Sequence, residues 1–514
     1  MTIEDRIKKE RYQKSLLLKT MGKNPYGNKF KPSISISEFK TKFTSQQNEE
    51  FLLLKSVYSI AGRVMAIRNL GNVNFYKVQD GTGQLQLYIN KNTIDPTDSS
   101  KDQLALIDIG DFIGVSGTPM RTKTHELSLH VKHLEIVTKS LLPLPDKWHG
   151  LTNVEQRYRQ RYLDLIVNEK SRNIFKIRSQ IIREIQSFLD TRGFMEVETP
   201  ILDSIAGGAN AKPFKTHHNA LNEDMSLRIA TELHLKRLVV GGFENVYEIG
   251  RLFRNEGVST KHNPEFTTIE FYKTYSTYKD LMSFSEELFR HLVFKIHGTY
   301  QIPYGNHIID FEKSFQCSSI ARLVGEHIGF SESEIRKLEQ TSDIELAFNI
   351  AKGRTVSYDT PDLILKEYEA IFDKRSLALH LLYAVFEHEI EHKIVQPTFL
   401  VDFPVSVSPL ARRKDEDPSV VERFELFCAG MEISNAFSEL NDPIDQRMRF
   451  ELQSKRKMMG DKEAHDMDED FLTALEIGMP PTAGQGIGID RVVMLLTNSL
   501  SIREVILFPK MRMK

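Results

Sequence analysis

The chain has 514 residues, 40% of them hydrophobic and 27% charged, which excludes a disordered protein and provides for two or three globular domains. The 68 Lys and Arg residues nearly balance the 70 Asp and Glu residues, so the net charge gives no indication of a nucleic-acid partner. The two cysteines lie far apart in the sequence, which excludes a disulfide or zinc framework and favours a reducing compartment.

Residues 1–50 are predicted to form an N-terminal helical extension with a turn at residues 24–27. Acidic residues near the start argue against a targeting peptide, and no apolar run approaches the ~18 residues of a membrane span. We therefore expect a cytoplasmic protein with no membrane partner. For the basic first helix, contact with RNA and a solvated lead-in both stay open, and we favour the second.

Residues 51–140 have the pattern of short strands. Leu85, Leu87 and Ile89 alternate with more polar neighbours, and several such strands predict a small five-stranded barrel of the oligonucleotide-binding type (OB-fold). Such barrels stack and read bases on one sheet face, and the candidate residues here are Arg68, Phe75, Gln86 and Glu126. From sequence alone, a core position for Phe75 is an equally good interpretation.

A proline-containing linker at residues 141–170 leads to a second predicted domain, residues 171–514. Apolar residues recur at helical spacing from Ile174 to Phe188, Gly193 ends this helix, and a strand follows that stops at Pro200.

Residues 300–400 are expected to be helical, and they contain two misleading patterns. The stretch H-E-I-E-H at 388–392 matches a zinc-protease helix, but no further ligand pattern follows, and we interpret it as a polar helix face. The stretch beginning at His327 is one residue short of a nucleotide-binding motif whose second half is missing.

The most informative stretch spans residues 250–272, where two alternating segments flank a polar connection and predict an antiparallel hairpin. It contains the parts of an ATP site: Arg254 for the α-phosphate, Phe266 to stack on adenine and Glu256 to accept from the exocyclic amine. A polar hairpin with a surface salt bridge is the alternative interpretation. On the returning strand, Glu270 and Tyr272 share one face because side chains alternate with period two.

Two later blocks complete the candidate site. Glu425 and Glu432 lie in strand-like segments rich in apolar residues, and this pair would suit Mg²⁺, a hard cation that takes oxygen ligands; hydrogen-bonded structural carboxylates are the alternative. The glycine-rich chain from Gly484 runs into an apolar helix, which brings backbone and Arg491 to a nucleotide.

These blocks resemble the class II lysyl-tRNA synthetases. F-R-N-E-G at 253–257 with H-N-P-E-F-T at 262–267 resembles their second signature motif, G-Q-G-I-G-I-D-R at 484–491 the third, and the helix and strand ending at Pro200 the first. G-R-V-M-A-I-R-N-L-G at 62–71 resembles their anticodon-binding barrel. The resemblance implies an α+β protein, an OB-fold barrel plus a class II catalytic domain whose antiparallel sheet is flanked by helices, and it implies a homodimer.

The resemblance also implies the reaction and its residues. L-Lysine and ATP would form lysyl-adenylate and pyrophosphate, and lysine would then pass to the 3′ end of tRNA(Lys). Arg254 and Arg491 would be catalytic, and Mg²⁺ would lie on Glu425 and Glu432. The implied ATP-binding residues are Arg254, Glu256, His262, Asn263, Phe266, Glu425 and Arg491. The implied lysine-binding residues are Gly208, Glu232, Arg254, Glu270, Tyr272, Asn435, Phe437 and Glu439.

Three alternatives stay open. A related class II enzyme for aspartate or asparagine would need a cationic or amide-reading pocket, whereas the candidate pocket here is acidic. A non-catalytic RNA-binding descendant could have lost the arginines and metal carboxylates, which this sequence retains. Synthesis of dinucleoside polyphosphates would use the same residues as lysine activation.

Overall fold

The computed structural model describes residues 2–53, 56–94, 100–145, 151, 153–205, 207–209, 211–352, 354, 373–458 and 467–512. The chain divides into two compact units, Met1–Thr152 and Asn153–Lys514. In the described part of the chain, none of the helices has the length and apolarity that a transmembrane span requires.

The first unit is a closed five-stranded barrel with short helices. Its helices are α1 (Ile3–Thr20), α2 (Ile36–Phe43), α3 (Asn48–Leu53) and α4 (Ser100–Leu104). Its strands are β1 (Tyr58–Leu70), β2 (Val73–Gln79), β3 (Gln84–Asn90), β4 (Phe112–Arg121) and β5 (Leu127–Thr138), in the order β1-β2-β3-β5-β4. Leu85, Leu87 and Ile89 all point into the barrel, because alternate residues of a strand face the same side. The predicted five-stranded barrel is confirmed.

The second unit contains the remaining elements. Its first helices and strands are α5 (Val154–Arg159), α6 (Arg161–Val167), α7 (Glu169–Asp190), β6 (Met195–Glu196), β7 (Leu202–Asp203), β8 (Lys215–His218), β9 (Glu223–Leu227), α8 (Glu232–Val240), β10 (Asn245–Phe253), β11 (Glu265–Thr274) and α9 (Tyr278–His297). Then follow β12 (Gln301–Tyr304), β13 (His307–Asp310), β14 (Gln316–Ser319), α10 (Ile320–Ile328), α11 (Glu332–Glu339), α12 (Ile344–Ala351), α13 (Lys374–Val385) and β15 (Thr398–Val401). The last are β16 (Arg423–Cys428), β17 (Met431–Ser438), α14 (Pro443–Met458), α15 (Glu469–Ile477), β18 (Thr482–Gly488), α16 (Ile489–Leu496) and α17 (Ile502–Val505).

An eight-stranded sheet organises this unit, in the order β14-β15-β16-β17-β18-β11-β10-β6. Neighbouring strands are antiparallel except at the two edges, where β14 pairs with β15 and β10 with β6 in parallel. Phe271 and Tyr272 are adjacent on β11 and therefore point to opposite faces. Phe271 packs in a core with Ile185 of α7 and Leu288 of α9, and Tyr272 packs in another with Leu235 of α8. The predicted antiparallel sheet flanked by helices is confirmed.

The prediction for residues 300–400 was partly wrong. This segment begins with the strands β12, β13 and β14 and ends near β15, with helices α10 to α13 between them. The strands are only four residues each, too short for the alternation of apolar residues to register clearly. Residues 353 and 355–372 of the segment lie outside the described residues.

The two misleading patterns meet in space. The H-E-I-E-H stretch is not an α-helix: a π-helix covers Phe386–Ile390 and a 3₁₀-helix covers Glu391–Lys393. The predicted polar α-helical face is therefore wrong, because residues four apart share a face only at α-helical pitch. Glu389 instead accepts from His327 Nε2 at 2.7 Å and from Arg354 Nη1 at 2.7 Å.

Candidate active site

The hairpin predicted from residues 250–272 is present. Strands β10 and β11 pair from Asn245 with Lys273 to Phe253 with Glu265, and residues 254–264 connect them. β11 continues the sheet to β18, and β18 pairs with β17. Because these strands are neighbours, residues separated by more than 200 positions in the sequence converge on one face of the sheet.

That face forms the floor of a cavity of about 450 Å³. The predicted ATP, lysine and magnesium residues that line it are Gly208, Glu232, Arg254, Glu256, His262, Asn263, Phe266, Glu270, Tyr272, Glu425, Glu432, Asn435, Phe437 and Arg491. Glu439 differs from them: it is buried and does not contribute to the lining.

One end of the cavity carries two arginines. The Arg254 guanidinium carbon lies 5.2 Å from the centre of the Phe266 ring, and its Nε is buried with no hydrogen-bond partner among the described residues. Burial lowers the pKa of Arg254, although the Glu256 and Glu432 carboxylates oppose the shift. Since a buried guanidinium donor is costly to leave unpaired, Arg254 is poised for an anionic ligand.

Arg491 lies in the opening turn of α16 and bridges two neighbours. Its Nη1 donates to the Glu432 carbonyl at 2.6 Å and to Glu432 Oε2 at 3.2 Å, and its Nη2 lies 3.3 Å from His262 Nε2. Burial, together with Arg491, lowers the pKa of His262. The three side chains form a polar wall of mixed charge along the cavity.

Asn263 lines the cavity, but its side-chain amide is already bonded to backbone. Its Nδ2 donates to the Glu265 carbonyl at 2.6 Å and its Oδ1 accepts from the Lys510 backbone N–H at 3.1 Å. This side chain therefore holds the connection between His262 and Phe266 in place.

The carboxylates of Glu425 and Glu432 also face the cavity. Burial raises the pKa of Glu425 to about 8, against the effect of Arg423, and Glu432, Glu387 and Glu391 add to the shift. Such mutual repulsion favours a bound cation, and carboxylates suit Mg²⁺, which keeps water and phosphate ligands. One oxygen of each carboxylate is held by an arginine, Glu425 by Arg423 and Glu432 by Arg491. No group of three or more His, Cys, Asp or Glu side chains forms a metal site within the described ranges.

The other end of the cavity is acidic and contains a residue that the sequence analysis missed. Lys236 has no exposed side-chain surface, and its Nζ lies 2.5 Å from Glu232 Oε1 and forms a second ion pair with Glu439. The spacing of four between Glu232 and Lys236 on α8 was the available signal, since residues four apart share a helix face. Their burial could not be read from that spacing.

Glu270 and Tyr272 complete the acidic end, as their shared strand face predicted. Burial raises the pKa of Glu270 to about 7, with Glu232 adding to the shift, and burial raises the pKa of Tyr272 well above its usual value. Gly484 on the neighbouring strand leaves room for Tyr272: a Cβ there would lie 2.4 Å from the Tyr272 ring and 2.3 Å from Glu439 Oε1.

Three smaller contacts shape the same end. Asn435 Oδ1 accepts from Arg423 Nε at 3.0 Å, and the Phe437 ring centre lies 5.4 Å from Lys236 Nζ. Gly208 has a φ of +87°, which favours glycine, and a Cβ there would approach the Glu232 Cβ to 3.1 Å.

The predicted base-reading residues of the barrel lie on its outer surface. Arg68, Phe75, Tyr88 and His130 are paired in register across β1, β2, β3 and β5, with Tyr88 and His130 missed from sequence. The Phe75 and Tyr88 ring centres are 5.6 Å apart, and Phe75 is half-buried rather than in the core. Gln86 Nε2 donates to Ser128 Oγ at 3.0 Å, and Glu126 is exposed just before β5.

Comparison with known proteins agrees with both units. The family described as class II tRNA synthetases for aspartate, lysine and asparagine (D, K and N) matches residues 153–512, and the OB-fold nucleic acid binding domain matches residues 58–137. A lysine–tRNA ligase of Halalkalibacterium halodurans is 47% identical over 99% of this chain and 96% of its own length. One from Prochlorococcus marinus (strain MIT 9301) is 48% identical over 98% and 96%.

A third relative, a lysine–tRNA ligase of Listeria monocytogenes, is 47% identical over 98% of this chain and 96% of its own length. Each of these three relatives is a lysine–tRNA ligase and matches this chain over nearly its whole length. The chain therefore belongs to the lysine–tRNA ligases, the class II synthetases that attach lysine to tRNA(Lys) with ATP.

Proposed function

We propose that the cavity performs both steps of the ligation, with its arginine end holding ATP and its acidic end holding lysine. The observation that carries this assignment is that one cavity is lined both by Arg254 and Arg491, which lie near Glu432, and by the buried carboxylates of Glu232 and Glu270, which act on each other. In the first step a lysine carboxylate oxygen attacks the α-phosphorus of ATP, and the bond to pyrophosphate breaks. In the second, a terminal ribose hydroxyl of tRNA(Lys) attacks the lysyl carbonyl and AMP leaves.

At the arginine end, the work is positioning and charge neutralisation. Arg254 holds the α-phosphate and the lysine carboxylate, which brings the two reacting groups together. Arg491 and His262 hold the outer phosphates. Glu256 accepts from the adenine amine while Phe266 stacks on the ring, and Asn263 keeps their loop in place. Mg²⁺, when bound on Glu425 and Glu432, would neutralise phosphate charge.

At the acidic end, Glu232 and Glu439 receive the lysine ε-ammonium with Tyr272 and Asn435 assisting. Glu270 receives the α-ammonium, the Phe437 ring covers the aliphatic stem, and Gly208 leaves space at the pocket wall. Each charge-assisted hydrogen bond contributes roughly 1.5–3 kcal/mol. An amino acid with an uncharged side chain would bring no ε-ammonium to Glu232 and Glu439, and we expect no separate editing domain for that reason.

The barrel contributes recognition of tRNA. Arg68, Phe75, Gln86 and Glu126 would stack on and hydrogen-bond to anticodon bases. The proposal includes a homodimer, supported by the resemblance of α7 and the strand after it to the first class II motif, and a cytoplasmic location.

ATP–pyrophosphate exchange, run with each of the twenty amino acids in the presence of Mg²⁺ and without tRNA, tests the proposal. Exchange with lysine alone supports adenylate formation and the acidic pocket together. Exchange with aspartate or asparagine would contradict the pocket assignment, and no exchange with any amino acid would contradict the catalytic assignment.

A further inference from the structure

The buried ammonium of Lys236 lies where the structure has placed two predicted substrate carboxylates. Its Nζ is within 2.5 Å of Glu232 Oε1 and ion-paired with Glu439, and all three side chains are at most 9% exposed. Glu232 lines the cavity, whereas Lys236 and Glu439 lie behind it. A protein lysine therefore pairs with both carboxylates, of which Glu232 also faces the space for the substrate.

We propose that Lys236 is a positioning and specificity-determining residue: it supplies one fixed positive charge, so that the pocket is neutral only when a substrate brings two more. The inference rests on the proposed function of the cavity. It adds a criterion for substrate selection: the number of positive charges on the amino acid, as well as its length, decides whether the amino acid binds.

The count of charges carries the proposal. Three buried carboxylates, those of Glu232, Glu270 and Glu439, meet at the acidic end. Burial raises the pKa of each, so all three ionise together only when ammonium groups compensate them. Lys236 matches one of them. The ε-ammonium and α-ammonium of a lysine substrate match the other two, and an amino acid with a neutral side chain leaves one buried carboxylate uncompensated, which is costly.

The other charged groups near this end are matched elsewhere. Arg423 influences Glu232 but donates from Nη2 to Glu425 Oε1 at 2.5 Å. Arg254 acts on Glu270, but it also faces Glu256 and Glu432 at the arginine end.

A carboxylate oxygen beside Lys236 also lacks a hydrogen-bond partner among the described residues. That atom, Glu439 Oε1, is buried. It lies beside the Tyr272 ring at the position where Gly484 has no side chain. A cluster that only held the fold together would be expected to satisfy this oxygen, because an unpaired buried acceptor destabilises the folded state.

Two variants test the proposal, because the first substitution should weaken lysine binding and the second should partly restore it. Glu439→Gln removes one carboxylate and leaves an excess positive charge, so the KM for lysine in ATP–pyrophosphate exchange should rise about 30-fold. Adding Lys236→Met to that variant restores the balance between carboxylates and ammonium groups. The double variant should therefore bind lysine about tenfold better than Glu439→Gln alone, with the KM for ATP within about twofold of the unmodified enzyme.

A purely structural Lys236 would make the double variant worse than Glu439→Gln, and that result overturns the proposal. The matched control is Lys139→Met in the barrel unit, which removes another fully buried lysine held by two carboxylates and should leave the KM for lysine unchanged. The unmodified enzyme distinguishes failure of the proposed function from failure of the proposed role of Lys236. If the unmodified enzyme shows no lysine-dependent exchange, the proposed function is wrong. If it shows that exchange but the double variant binds lysine no better than Glu439→Gln, only the role of Lys236 is wrong.

Discussion

Two buried lysines, one in each unit, have nearly the same partners and different surroundings. Lys139 in the barrel unit and Lys236 in the catalytic unit each have 0% side-chain exposure and each form ion pairs with two carboxylates. Around Lys139 every carboxylate oxygen is bonded. Asp108 accepts from Lys14 and Lys139, and Asp111 accepts from Lys139 and from the backbone N–H groups of Asp108 and Ser140.

Around Lys236 the cluster is incomplete. Glu439 Oε1 has no hydrogen-bond partner in the described part of the chain, and Glu232 faces the cavity. We infer from this difference that a buried lysine held by carboxylates serves the fold when every carboxylate oxygen is paired, and serves binding when one oxygen is left unpaired. Substitutions in the two clusters should therefore differ in whether they alter stability or lysine binding.

The largest effect is expected for Glu232→Gln. It removes a carboxylate that both touches Lys236 and lines the cavity, so we expect the KM for lysine to rise about 100-fold, as the loss of a charge-assisted bond and its charge predicts. Asp111→Asn in the barrel is the matched change. It should lower the free energy of unfolding without altering lysine-dependent ATP–pyrophosphate exchange, and an equal loss of lysine affinity would contradict the comparison.

A smaller effect is expected for Gly484→Ala. The new methyl group would lie within 2.4 Å of the Tyr272 ring and Glu439 Oε1, so both must move and the KM for lysine should rise about tenfold. Gly486→Ala on the same strand meets only Glu270 Cγ at 3.7 Å, an ordinary contact, and should have the weaker effect. If steady-state kinetics of the two variants are alike, the open space beside Glu439 is unimportant for lysine binding.

A pH effect of similar size is expected from Glu270. Because burial raises its pKa to about 7, the carboxyl is protonated below that pH and cannot pair with the lysine α-ammonium. The kcat/KM for lysine should therefore increase about tenfold from pH 6 to pH 8, as the ionised fraction does. Glu270→Gln should remove this dependence along with most of the lysine affinity. An unchanged pH profile in that variant would assign the titration to another group.

The smallest effect is expected on the outer face of the barrel, where Phe75 lies between Arg68 and Tyr88. Phe75→Ala should lower kcat/KM for tRNA(Lys) in aminoacylation about fivefold, at the lower end of the loss expected for one stacked base. It should leave ATP–pyrophosphate exchange unchanged, because that reaction needs no tRNA. Equal losses in both assays would indicate that the variant disturbs the whole protein.

Local patterns in the sequence predicted most of the fold. The alternation at Leu85, Leu87 and Ile89 predicted the barrel, and the turn residues around Gly257 and Pro264 predicted the hairpin of the site. Strand pairing was harder to predict, because the order β17-β18-β11-β10 depends on contacts between distant segments. The short strands β12–β15 were missed for a different reason, since four residues carry little periodicity.

The sequence predicted which residues form the candidate site better than it predicted their burial and their ion pairs. Almost every residue proposed to bind a substrate or Mg²⁺ lines one cavity. The sequence did not reveal that Glu439 lies behind this cavity or that Lys236 forms an ion pair with Glu439. Nor did it reveal that Glu387 and Glu391 add to the field at Glu425, because they belong to a π-helix and a 3₁₀-helix rather than to an α-helix. Burial and partner choice are properties of the folded chain, and no local pattern specifies them.

In the proposed pocket, buried carboxylates recognise the ammonium of the substrate side chain. The most direct test compares lysine with 6-hydroxynorleucine, a neutral analogue of similar length, in ATP–pyrophosphate exchange by the unmodified enzyme. We predict that kcat/KM for lysine exceeds that for the analogue by about 10⁴, because the analogue leaves buried charge unpaired. A ratio below about ten would show that the pocket reads the shape of the side chain rather than its charge, and would contradict the account.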